Sequence, residues 1–188
     1  FDIRVSGTLE VNDRRCQLND APGQQSHLWG TKHADGWVWG HCNAFQEDET
    51  AVFEGLSVRV RIGPLLPPPL TLFCLRSGGR LYRLNGPWQL LTNRSTAEVG
   101  VWRFAGQGSS IRIEGEARCA VEHLVGAEYT DPDGEKRWCH NAKVGDLRLT
   151  VFERAGRDWE RVQALTSRGT CAIEWVGQVR DSRVALWI

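Results

Sequence analysis

The stretch His27-Leu28-Trp29-Gly30, followed by Trp37-Val38-Trp39-Gly40-His41-Cys42-Asn43-Ala44-Phe45, governs how this chain reads. Across 37–45 the large apolar residues Trp37, Trp39 and Phe45 keep the parity of one strand face, which Asn43 interrupts. Such a strand suits the wall of a β-barrel that holds an apolar ligand. Trp37 and Trp39 are expected on its inner face, because the opposite assignment leaves two indoles in water.

Away from this segment the chain is a succession of short strands. Residues 3–11 alternate apolar and polar, Asn12-Asp13 turns, and 15–18 returns; 51–62, 70–75 and 80–84 continue the pattern. Four prolines at 64, 67, 68 and 69 break the ladder, and Ser77-Gly78-Gly79 reads as a hairpin turn. Further strands are expected over 99–104, 111–117, 120–129, 144–153, 160–166 and 170–179, with Asp131-Pro132-Asp133-Gly134 a strong turn. No segment shows a helical period, and there is no internal repeat. Ten or more antiparallel strands joined by short turns imply an all-β barrel or sandwich.

A chain of 188 residues buries about 70% of its unfolded surface, enough for a core or a lined cavity. Lys and Arg balance Asp and Glu at 23 each, without a basic block, which argues against nucleic acid as a partner and for a small apolar ligand. No apolar run approaches the roughly 20 residues of a transmembrane helix. The chain begins at Phe1 and has no methionine, so preceding sequence is expected. Six scattered cysteines without a C-x-x-C pair suit buried thiols in a reducing, cytoplasmic compartment; one or more disulfides is the alternative. His27, His33 and His41 match no metal-ligand spacing, so neither a metal nor a cofactor is expected.

Trp29-Gly30, Trp37-x-Trp39-x-x-Cys42-Asn43-x-Phe45, Cys139, Gly145-Asp146-Leu147-x-Leu149 and Glu153-Arg154 resemble the tocopherol cyclase family in the same order. Ser167, Ala172 and Glu174 extend the likeness, which runs from about residue 24 to 176. More distantly, His27-x-Trp29-Gly30 resembles the motif of carotenoid hydratases, lipocalin-like pericyclases and AttH-like proteins. The resemblance implies an antiparallel lipocalin-like β-barrel, the C-terminal one of two. Residues 1–30 would then be the last strands and linker of the preceding barrel, and 31–188 the barrel packed against it. It also implies cofactor-independent chemistry on an isoprenoid or polyene: an acid protonates a double bond, and an internal oxygen or water traps the cation. The alternative is a non-catalytic carrier using the same pocket.

Several side chains are candidates for these tasks. Trp29, Trp37 and Trp39 offer ring quadrupoles that stabilise positive charge without reacting. Residues 36–45 contain no carboxylate, so His41, or His27, is the candidate imidazolium acid. Asn43 is a candidate for orienting a substrate oxygen, Cys139 and Asn141 for lining the cavity, and Glu174, between Ile173 and Trp175, for an inward carboxylate. Each has a plainer reading as packing, backbone satisfaction or solvated charge. Cys139 beside His140 does not read as a nucleophile and base, since adjacent strand residues face opposite ways.

Overall fold

The computed structural model describes residues 2–27, 30 and 32–187, and Trp29 falls outside them. Strands β1 (Asp2–Val11) and β2 (Arg14–Gln24) form a two-stranded antiparallel ribbon of their own. Asn12 and Asp13 turn it with φ of 47° and 63°, the handedness that matches strand twist. Its open end is tied down at one point. Asn43 Nδ2 donates to Asp2 Oδ1 and to the Gly23 carbonyl, each at 2.9 Å, while Arg76 pairs with Asp2.

The remaining strands make one antiparallel sheet. In chain order they are β3 (Gly36–Cys42), β4 (Val52–Arg59), β5 (Leu70–Ser77), β6 (Arg80–Leu84), β7 (Arg94–Glu98), β8 (Val101–Gln107), β9 (Ile111–Arg118), β10 (Val125–Thr130), β11 (Lys136–Ala155) and β12 (Asp158–Gly177). Their lateral order is β6-β5-β4-β3-β12-β11-β9-β8-β7, with β10 beside the first part of β11. The ladder is open between β6 and β7, where helix α1 (Pro87–Thr92) lies.

The sheet curls around its core and side chains hold the curl. Tyr82 Oη on β6 donates to Glu153 on β11 at 3.0 Å, and Ser77 Oγ on β5 donates to Gln163 on β12 at 2.6 Å. At the open seam, the buried Asn93 side chain replaces the missing ladder. Its Nδ2 donates to the carbonyls of Thr71 and Leu84 at 3.0 and 2.9 Å, and its Oδ1 accepts the Gln107 N–H at 3.3 Å.

At the centre of the buried core, four aromatic side chains pack together: Phe53, Phe73, Trp102 and Phe104. Trp102 and Phe104 rings lie 4.6 Å apart, and Phe53 and Phe104 stack at 5.0 Å. Glycines make the room. A Cβ at Gly55 would sit 2.7 Å from Trp102, one at Gly40 2.9 Å from it, and one at Gly106 2.7 Å from Phe73. The small side of β3 (Val38, Gly40, Cys42) therefore faces inward against the indole.

This packing reverses the expected orientation of Trp37 and Trp39, which project from the outer face. A lone strand's parity groups its residues but does not say which group is inside, and Trp102 decides that here. The sequence reading also lacked α1, whose six residues bury nothing and so carry no amphipathic signal. The first part of the expected 120–129 strand is a 3-10 turn at Val121–His123, and 160–179 is a single strand, β12, as far as Gly177.

Trp102→Ala should lower unfolding stability by about 3–5 kcal/mol in urea titrations, the range for deleting a large buried aromatic. Asn93→Ala should lose about 1–3 kcal/mol, because buried carbonyls lose their donor. Its amide exchange should accelerate first along β7 rather than along β4.

Candidate functional site

The outer face of β10, β11, β12 and β3 gathers most of the side chains singled out in the sequence. Register places Trp39 opposite Glu174, Trp37 opposite Val176, Asn141 opposite Glu174 and Cys139 opposite Val176. Ala127, Cys139 and Val176 form a small buried cluster there, with Trp37 and Tyr129 packed on it. The rows continue across β4 and β5 as Trp39–Leu56–Leu72 and Trp37–Val58–Leu70. This makes a broad, half-buried apolar surface outside the core.

Polar groups are set into that surface. Trp37 Nε1 donates to Glu174 Oε1 at 2.9 Å and Asn141 Nδ2 donates to Glu174 Oε2 at 3.0 Å, so each carboxylate oxygen has an N–H donor. Burial, reinforced by the negative charge of Glu174, pushes the Cys139 thiol up to about 12. Burial likewise raises the Tyr129 phenol, with further contributions from Cys139 and Glu174. Both stay protonated at neutral pH. Trp39 Nε1 donates to Glu54 at 3.2 Å, and the Lys143 ammonium lies 5.6 Å from the Trp39 ring centroid. His33 stacks between Trp37 and Tyr129, at 5.8 and 5.7 Å, and its Nδ1 meets the buried Asp131 carboxylate.

His41 stacks on Trp39 with ring centroids 6.3 Å apart and is 3% exposed. Neither of its ring nitrogens has a hydrogen-bond partner among the described residues. Burial pulls the imidazole down to about 4; Asp2 partly offsets this and Lys143 adds to it. His41 is therefore neutral at pH 7. The imidazolium form expected for an acid at this position is thus disfavoured at neutral pH.

The structure thus brings together Trp37, Trp39, His41, Cys139, Asn141 and Glu174, on the face opposite the one expected. Glu174 projects outward because it shares a face with Trp39, its cross-strand partner. Asn43 stands at the end of the face and holds the ribbon. His27 is exposed in the segment after β2, with no hydrogen bond or ion pair among the described residues. His33, Tyr129, Glu54 and Lys143 were missed. Their membership depends on cross-strand register and on the 131–134 turn, which no local pattern displays. All six cysteines are free. Among the described residues the one group of three possible metal ligands is Asp131, Asp133 and Glu135, whose carboxylates face His33, Lys32 and Arg137. Among the described residues no helix is long and apolar enough to cross a membrane.

A family model described as tocopherol cyclase-like matches residues 2–177. The chain is 25% identical over 152 residues to a probable chloroplastic tocopherol cyclase of Oryza sativa subsp. japonica, covering 79% of this chain and 32% of that protein. It is 24% identical over 153 residues to a chloroplastic tocopherol cyclase of Zea mays, with the same coverage. The chain thus spans about a third of the length of these relatives. No solved structure matches significantly.

His41 carries a prediction about stability and pH. Its folded value lies below its ordinary 6.5, so between these values the unfolded chain binds the extra proton, and stability falls as pH drops from about 6.5 towards 4. At one pKa unit per 1.36 kcal/mol the loss is at most about 3 kcal/mol. His41→Gln should remove that part of the acid destabilisation in urea titrations at pH 7.5 and 4.5; equal losses in both proteins would refute it.

Proposed function

This chain belongs to the tocopherol cyclase-like family, and we propose that its outer aromatic face binds an apolar, prenylated substrate and promotes ring closure or hydration at a protonated double bond. The observation that carries this reading is the Glu174 carboxylate, gripped by Trp37 and Asn141 among aromatic rings. Protonating an alkene places positive charge on carbon. A fixed anion framed by indole faces opposes that charge without having to reorganise.

The residues divide the remaining work. Trp37 and Trp39, continued by Leu56 and Leu72, form a dry floor for an isoprenoid chain. The acid form of Glu174 gives its proton to the double bond, its carboxylate then faces the cation, and the proton that the trapped oxonium sheds restores the acid. The curled sheet is read as a lipocalin-like barrel whose seam Asn93 closes, and the β1–β2 ribbon as part of a preceding barrel; the threefold greater length of the curated relatives supports a further domain. Six free thiols suit a reducing compartment such as the cytoplasm.

The test uses a prenylated hydroquinone as probe. Tryptophan quenching reports binding, and product analysis reports cyclisation. Trp39→Ala should weaken binding by about 1–3 kcal/mol with the fold intact. Glu174→Gln should change binding by less than about threefold while lowering turnover roughly 100-fold. Unchanged turnover in the Gln variant overturns the catalytic reading. Binding without product in the unmodified protein replaces it with a carrier.

A further inference from the structure

Cys42 at the end of β3 and Cys171 on β12 are both fully buried in the core. The ladder pairs His41 with Ala172, so one step further along these antiparallel strands Cys42 and Cys171 stand opposite each other. Directly opposed strand residues have Cα atoms about 4.5–5.5 Å apart, inside the roughly 4.4–6.8 Å that a disulfide spans. Both side chains share the inner face, and the two sulfur atoms are hydrogen-bonding partners. Cys119 also acts on Cys171 electrostatically but shares no hydrogen bond with it.

The surroundings set the two thiols apart. The hydrogen bond from Cys171 holds Cys42 down to about 7 against burial, and one from Ser167 adds to this, while Cys171 is pushed well up. A thiolate is the nucleophile in sulfur oxidation, so Cys42 is the sulfur that attacks and Cys171 the one that resolves. Burial shuts out bulky reagents, yet the cover is thin. Next to Cys171, β12 bulges at residues 168–170, which are exposed and opposed by Asp146 alone. A crevice of about 450 Å³ lies between Asn43 and Ala44 on one side and Arg168 and Thr170 on the other, close chain neighbours of the two cysteines. Arg4, Asp20 and Glu49 also line it and make it polar. An uncharged oxidant little larger than water needs only a local opening of this bulge to reach the sulfurs.

We infer that Cys42 and Cys171 are a modification site for hydrogen peroxide, which closes them to a disulfide between β3 and β12 in the folded protein. The Cys42 thiolate attacks one peroxide oxygen and the O–O bond breaks. The sulfur keeps that oxygen as a sulfenic acid, and the departing hydroxide takes a proton and leaves as water. The Cys171 sulfur then attacks the Cys42 sulfur, the S–O bond breaks, and the leaving hydroxide carries off the Cys171 proton as a second water. Two thiols are oxidised and one peroxide is reduced. The bridge fastens β3 to β12 beside Asn43, which holds the β1–β2 ribbon. It is independent of the proposed catalytic face, because both cysteines point into the core.

In the test, accessible thiols of the folded chain are blocked with N-ethylmaleimide, and hydrogen peroxide is then added without denaturant. Expected is loss of the mass of two hydrogens, reversed by a phosphine reductant, with the Cys42 and Cys171 peptides joined in the non-reducing map. Cys171→Ser should instead retain one oxygen on Cys42, and Cys42→Ser should show neither change. The map of the unsubstituted chain decides the matter even where a variant folds poorly. An unchanged mass, a bridge from Cys171 to Cys119, oxygen added at Cys42 without a bridge, or a bridge that forms only in urea strong enough to unfold the chain each overturn the inference.

Discussion

Everything in this molecule is arranged around one steric fit, the Trp102 indole lodged where Gly40 and Gly55 leave no side chains. A curled sheet of this size has an interior wide enough for a ligand, yet here Trp102, Phe53, Phe73 and Phe104 occupy it. With the middle solid, the outside of β3, β12 and β11 is the broad apolar surface left to meet another molecule. Successive residues of a strand face opposite ways, so Trp37, Trp39 and Glu174 stand on that outer face while Val38 and Trp175 face the core.

The alternating pattern made the all-β class readable, and the spacing of 37–45 grouped Trp37 with Trp39 correctly, whereas Phe45, expected on the same face, lies beyond the end of β3 and packs into the core. Glu174, Asn141 and Cys139 joined them through a family resemblance and through parity within their own segments. What the sequence could not supply was a sign. Inverting inside and outside for β3 inverts it for every strand in register with it, so one wrong choice moved the whole group from the lumen to the outer wall. The deciding residue, Trp102, lies some 60 positions away on β8 and pairs with none of these strands. A clue was present in the small residues Val38, Gly40 and Cys42, which alternate with the bulky ones and invite a large partner from elsewhere.

His41 shows the same limit at the level of chemistry. Residue type and position suggested an acid, since an unperturbed imidazole titrates near neutrality. Burial beside Trp39 and Lys143 keeps it neutral instead, and that depends on neighbours no spacing reveals. Glu174, expected as an inward carboxylate, faces outward, where its two N–H partners come from β3 and β11.

The β1–β2 ribbon has a consequence for how the protein behaves at concentration. Neither strand pairs with the main sheet, so both ribbon edges present unused N–H and C=O groups, and Leu9 and Val11 are more than half exposed near its tip. The formal charge at pH 7 is zero and the isoelectric point about 7.1, so little long-range repulsion keeps two copies apart in neutral buffer. Edge-to-edge pairing of ribbons is then the natural colloidal failure of this chain, and it is minimised by working away from neutrality or by charged residues placed at the ribbon tip.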